Sequence, residues 1–155
     1  MFAVVGRTWS HLRFRALVPQ AGDSLCHWSV ELKNPRNLTI GDHVRINSHA
    51  VLGAEAPIVI EDFAVIAHGA QIETGGVDFT QPLPYPHTAK PIRIGRGAVI
   101  ATGAIVLGGV SVGAGAFIGA GSVVTRDVPP NAVINAAPLR MFVRRRRTSN
   151  SQDTE

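Results

Sequence analysis

Hydrophobic residues recur every six positions along this chain, and few folds satisfy that period. Ile94, Ile100, Val106, Val112, Ile118 and Val124 follow one another without a miss. An earlier run reads Ile40, Ile46 and Leu52, resets by two residues, and continues as Ile60, Ile66 and Ile72. Four residues after these come Val44, Ala50, Ala56, Ala64, Ala70, Gly76, Ala98, Ala104, Val110, Ala116, Ser122 and Val128, all small or β-branched. Each repeat thus offers one large and one small inward side chain. A helical period of 3.6 or a simple strand alternation drifts out of register within two such repeats.

A short internal period marks a solenoid, in which every unit buries its apolar face against its neighbours alone. Six residues make one flat side, a short strand and a turn, and three sides close a triangular coil. Coils then stack at the parallel-strand spacing of roughly 4.8 Å. The two runs supply about four coils, and residues 22–39 add a less regular one. Gly41, Gly53, Gly95, Gly113 and Gly119 follow the aliphatic position directly. Glycine there suits unusual dihedrals and close backbone approach, and Asn47 is a plausible left-handed substitute. The chain is read as three parts: a capping segment at 1–21, a β-helix domain at 22–136, and a basic segment with a polar tail at 137–155.

Composition narrows the function classes. Rings are few, as a thin prism requires. The single cysteine, Cys26, argues against a disulfide framework and fits a reducing cytoplasm, as a small buried residue or a reactive thiol. No apolar stretch reaches the roughly twenty residues of a membrane span, so no integral membrane segment is expected. Residues 1–20 scatter Arg7, Arg13 and Arg15 among apolar residues without a signal-peptide core, and an amphipathic helix over one end of the prism is expected. The net charge of +4 gathers at the other end, in Arg144 to Arg147. A solvated tail, a site for an anionic cofactor and nucleic acid are three readings of that run. No aromatic platform or recognition motif accompanies it, so nucleic acid is not expected as a partner.

Between the two runs the period stops, from about residue 73 to 91. Pro82, Pro84, Pro86 and Pro91 fall here, with Gly75 and Gly76 at the start. Proline at this density predicts an extended, stiff loop without a regular ladder. Long ordered loops in repeat folds usually carry function. This one holds Asp78, Phe79, Tyr85 and His87, a chemically richer set than the coils, and is expected to wall an active site.

The block IGAGSVVTRDVPP at 118–130, supported by LTIGDHVRI at 38–46, resembles the hexapeptide-repeat acetyltransferases. The nearest branches are the maltose, galactoside and Nod-factor O-acetyltransferases and the colanic-acid type. The likeness spans about residues 28–146. It implies an all-β fold, a left-handed parallel β-helix with an excursion loop at 73–91. It also implies a homotrimer with sites between subunits, and transfer of acetyl from acetyl-CoA to a sugar-like hydroxyl or amine in polysaccharide biosynthesis. By the same resemblance Thr102, Ala120, Thr125 and Arg126 line the groove for coenzyme A. Arg140, in APLRM, matches the family's closing basic residue, and Arg144 to Arg147 supplement it against phosphates, where guanidinium geometry suits bidentate pairing. Asn135, Ala136 and Ala137 depart from the family's usual Gly-Asn just before it. Asn47 and Glu55 fall where the family positions acceptor hydroxyls, though Asn47 reads equally well as a turn residue.

One departure bears on the chemistry. The family's catalytic histidine follows a Thr-Gly turn, and here the sequence runs Thr74-Gly75-Gly76-Val77-Asp78, with Val77 in the histidine's place. A base within hydrogen-bond reach of the attacking oxygen contributes about 10²- to 10⁴-fold in rate, and valine cannot act as one. Three readings stay open: His87 folds back as the base, with Asp78 beside it in the catalytic set; His49 or His68 acts across a subunit interface; or the chain is a catalytically impaired trimeric binding or scaffold protein. An amine acceptor would relax the need for a base. His49 and His68 lie on the same side of successive coils by their spacing. The chain lacks the close histidine pair of the zinc-binding γ-type carbonic anhydrases, which share the fold, and no metal is expected.

Overall fold

A computed structural model describes residues 14–135, and the backbone of 141–143. Three parallel sheets form the sides of a prism, visited in turn by the chain. The first face stacks Leu25–Cys26, Arg45–Ile46, Val65–Ile66, Val99–Ile100, Phe117–Ile118 and Ala132–Ile134. The second stacks Glu31–Lys33, Val51–Gly53, Gln71–Glu73, Ile105–Leu107 and Val123–Val124. The third stacks Leu38–Ile40, Ile58–Ile60, Ile92–Ile94 and Ser111–Val112, with Val128 bridged to Val112. The architecture is a left-handed parallel β-helix of about six turns. The less regular coil expected at residues 22–39 is present, with strands at Leu25–Cys26 and Glu31–Lys33, and Ala132–Ile134 extends the stack beyond the second hexad run. Met141–Val143 closes the first face as an antiparallel strand on Ala132–Ile134.

The strands are two or three residues long because each must turn a corner after every hexad. All twelve hexad aliphatics are at most 4 % exposed, each contributing about 1.5–3 kcal/mol of burial. Of the small residues four places on, eleven are buried with them. The exception is Gly76, which leaves the coil; Thr74 takes the inward place instead, 2 % exposed. Residues 14–17 are helical, and Phe14, Val18 and Ala21 join the same core. The Gln20 side-chain amide donates to Leu38 O at 2.7 Å, tying this segment to the first coil.

The two-residue reset has a single location. Leu25 pairs with Arg45 and Arg45 with Val65, twenty residues apart, whereas Val99 pairs with Phe117, eighteen apart. The surplus lies at the corner between the second and third faces, where 34–37 and 54–57 stand in for the tight Gly108–Gly109 turn of the lower coil. The excursion leaves from that corner too. Register survives it: Leu38 pairs with Ile58, and Ile58 with Ile92.

The left-handed turns sit elsewhere than the sequence suggested. His43, His49, Gly97, Gly115 and Gly121 have positive φ, two residues after Gly41, Asn47, Gly95, Gly113 and Gly119. Asn47 is therefore not the left-handed residue of its corner. Gly95 serves the stack by lacking a side chain, since a Cβ there would lie 2.6 Å from Ala114 N of the next coil.

Candidate active site

The excursion is a hairpin. Gly75–Val77 and His87–Ala89 pair antiparallel, with Val77 opposite His87, Gly76 opposite Thr88 and Gly75 opposite Ala89. This corrects the expectation of a loop without a ladder: Pro82, Pro84 and Pro86 fall in the tip and Pro91 beyond the stem, so none removes a donor from the paired residues. Thr74 N donates to Gly53 O at 3.0 Å, and Lys90 N donates to Thr74 O at 3.0 Å, fixing both stems on the coils. At the tip, Phe79 and Tyr85 meet edge to face at 5.3 Å and stay exposed.

Asp78 holds the tip together. Its Oδ1 accepts from Thr80 N at 2.9 Å and Thr80 Oγ1 at 2.6 Å, and its own N–H donates to Pro86 O at 3.0 Å. The Thr80 hydroxyl bond, then the Thr80 amide bond, hold the carboxyl below the ordinary aspartate range. Among the described residues, the carboxylate paired with His87 is a different one: Glu55 Oε2 lies 3.4 Å from His87 Nδ1. Sequence reasoning named both residues for separate roles and did not foresee their meeting.

Glu55 reaches this position because its corner is clamped from two coils. Above, the Asn37 side-chain amide donates to Ala54 O at 2.9 Å and Glu55 O at 3.2 Å. Below, buried Thr74 Oγ1 donates to Gly53 O at 2.8 Å and accepts from Ala56 N at 3.0 Å. Gly75 leaves room for the carboxylate, since a Cβ there would lie 2.8 Å from Glu55 Oε2. Asn37, Thr74 and Gly75 were not read as site residues. The signal was present in the hexad reset, which brackets 54–57.

The remaining predicted residues divide between two edges of the prism. Thr102 and Ala120 lie on successive coils at the corner between the first and second faces, joined by Gly121 N donating to Thr102 O at 2.9 Å. Both are exposed, and a Cβ on Gly69, Gly103 or Gly121 would meet nothing within 4 Å, so this edge is an open track. Asn47 lies on the same edge, exposed, two coils above Thr102. Ser48 Oγ stands 2.9 Å from His68 Nδ1 and the rings of His49 and His68 are 5.2 Å apart, also on this edge. Thr125 and Arg126, both exposed, are on the other edge, the one carrying Glu55 and His87. Arg140 and the run Arg144 to Arg147 lie outside the described residues. No group of three or more candidate metal ligands occurs among the described residues, and no helix among them is long and apolar enough to cross a membrane.

Likeness to known proteins follows the coils. The bacterial transferase hexapeptide (six repeats) family model matches residues 91–126. No curated protein matches by sequence. A hexapeptide-repeat-containing acetyltransferase of Vibrio cholerae O1 biovar eltor, solved with acetyl coenzyme A, is 28% identical; the match covers 87% of this chain and 76% of that one, with a TM-score of 0.79. A galactoside acetyltransferase solved with coenzyme A is 25% identical over 85% of this chain and 68% of that one, with a TM-score of 0.75. AntD, an N-acyltransferase from Bacillus cereus, shares the fold at 21% identity, over 90% of this chain and 89% of that one, with a TM-score of 0.69. Repeat, fold and these likenesses agree: the chain carries the bacterial transferase hexapeptide repeat on a left-handed β-helix similar to those of solved hexapeptide-repeat acetyltransferases.

Proposed function

We propose that this chain transfers an acetyl group from acetyl-CoA to a hydroxyl or amine of a sugar-like acceptor, with His87 as the general base. The observation that carries the reading is the ladder pair Val77 and His87. Directly opposite residues of an antiparallel pair project from the same face of the ribbon, with Cβ atoms about 4.5–5.5 Å apart. A base moved from the Val77 position to its cross-strand partner serves nearly the same space.

In this reading the acceptor hydroxyl donates to His87 Nε2 and gives up its proton as its oxygen attacks the thioester carbonyl carbon. The carbonyl π electrons move to oxygen and form the tetrahedral oxyanion, which backbone donors of the groove stabilise. Collapse of that intermediate breaks the C–S bond, and the imidazolium returns the proton to the departing thiolate. The pantetheine arm follows the open track past Thr102 and Ala120, whose glycine neighbours Gly103 and Gly121 leave it room. Thr125, Arg126 and Arg140 receive the nucleotide end, and Asn47 binds an acceptor hydroxyl. Asp78 shapes the tip that walls the site.

Asn47, Thr102 and Ala120 sit on one edge of the prism, His87 and Arg126 on another. A homotrimer, in which the edges of neighbouring copies face each other, unites the two sets; light scattering that returns a monomer in solution would remove this arrangement. The enzymatic test is thiol release from acetyl-CoA over a panel of sugar acceptors. His87→Ala is expected to lower kcat by about 10²- to 10⁴-fold while coenzyme A binding persists. Wild-type protein that binds coenzyme A yet turns over no acceptor would favour a binding or scaffold role, and unchanged activity in His87→Ala would sink the base assignment.

A further inference from the structure

We infer that Glu55 is the positioning residue of His87, an assignment that rests on His87 being the base. It replaces the acceptor-binding role expected from the sequence. Three independent observations place the carboxylate. Its Oε2 lies 3.4 Å from His87 Nδ1. The Glu55–Ala56 peptide is fastened on both sides, its carbonyl accepting from Asn37 of the coil above and its N–H donating to Thr74 of the coil below. Gly75, at the base of the hairpin, has no side chain where the carboxylate passes. The two residues that lengthen this coil beyond eighteen therefore build a platform aimed at the hairpin stem.

The chemical consequence concerns the tautomer. Which imidazole nitrogen carries the proton is set by the partner of the other. A carboxylate facing Nδ1 favours the Nδ1–H form, and that leaves the Nε2 lone pair bare and directed away from Glu55. A base needs that arrangement, and a third group orienting it follows the general logic of activated nucleophilic sites. Apo sites commonly hold such contacts long, to tighten when substrate binds. The carboxylate also offsets the positive charge that His87 acquires as it takes the acceptor's proton.

Gly75→Ala provides a directed perturbation, because the three heavy atoms nearest the new Cβ would all belong to the Glu55 side chain, at 2.8 to 3.4 Å. A flexible side chain yields to such a contact, so the fold persists while the carboxylate is displaced. The test uses the full chain, ¹⁵N-labelled, above the histidine titration range, with the His87 ring nitrogens assigned through His87→Ala. Wild type is expected to show Nδ1 protonated and Nε2 bare. Glu55→Ala and Gly75→Ala shift the population toward Nε2–H, and Glu55→Gln, which keeps a carbonyl oxygen at the same reach, retains the wild-type pattern. In kinetics, Glu55→Ala and Gly75→Ala lower kcat about tenfold with KM for acetyl-CoA within about twofold. Identical His87 ring shifts in wild type, Glu55→Ala and Gly75→Ala would overturn the assignment. So would an inactive His87→Ala enzyme whose wild-type parent is indifferent to Glu55→Ala. A fully active His87→Ala enzyme removes the base itself and with it the catalytic role of Glu55, while the ring shifts still report whether the pair exists.

Discussion

Replacing Thr74 with valine tests whether the corner beneath Glu55 is held by a hydroxyl or by packing. Valine matches threonine in shape, so no cavity opens; only the Oγ1 bonds disappear. Gly53 O keeps a donor, the Thr74 amide at 3.0 Å, and loses only the hydroxyl bond at 2.8 Å, worth about 0.5–1.5 kcal/mol. Ala56 N–H loses its acceptor at 3.0 Å inside the structure, and a buried donor left unmet costs about 1–3 kcal/mol. The two together come to about 3 kcal/mol, which for a chain of this size is a fall in Tm of roughly 6–12 °C. Thr74→Ser keeps the hydroxyl and removes one buried methyl, a loss of about 1 kcal/mol. The order serine above valine is opposite to that of a site held by apolar burial. Thermal unfolding of the full chain, followed by far-ultraviolet circular dichroism, measures it. A valine variant as stable as the serine variant, or more so, would refute the hydrogen-bond account of this corner.

Other expectations concern the coils and the hairpin tip. Gly95→Ala forces a Cβ against the backbone of the next coil, which cannot step aside, and overpacking of that kind costs about 1–3 kcal/mol or more. Gly103→Ala meets open space and suffers only the left-handed backbone penalty of about 1–2 kcal/mol, so urea midpoints should place Gly95→Ala lower. Ile100→Ala empties the middle of the prism and should cost about 2–5 kcal/mol, read in the same titration. Asp78 has a depressed folded-state pKa, so its contribution to tip order is present above the unfolded value and lost as pH falls through the folded one. The Thr80 amide proton shift should therefore titrate below the ordinary aspartate range, and Thr80→Val, by deleting the largest cause of the depression, should raise the midpoint. A midpoint unmoved by Thr80→Val would assign the depression elsewhere.

The hexad positions were legible because each aliphatic residue answers to one requirement, a seat in a narrow core, that repeats with the chain. The reading failed where the chain stops obeying that requirement. Counting four past Ile72 gave Gly76, but the chain has already left the coil there. Thr74 fills the inward seat, since its hydroxyl accepts from the Ala56 N–H that the wider corner leaves open and gives Gly53 O a second donor. Asn47 looked like a left-handed residue by composition, yet the positive φ belongs to His49. Turn sterics act on backbone geometry, and sequence pattern locates that only to within a residue or two. The meeting of Glu55 with His87 spans 32 residues and depends on the hairpin folding back onto the coil above. No local pattern encodes it, although the reset at 54–57 and the break after Ile72 turn out to mark one corner.

That shared corner also separates two kinds of change. Ile92 pairs with Ile58 in the same register that Ile58 keeps with Leu38, although one interval carries the hairpin and the other does not. The stack is thus indifferent to what is spliced between Thr74 and Pro91, provided both stems are anchored. A chain built this way can exchange its hairpin for a longer, shorter or differently charged one and keep every core contact. On the proposed acetyl-transfer function, a hairpin graft at these two stems is the natural route to a new acceptor specificity.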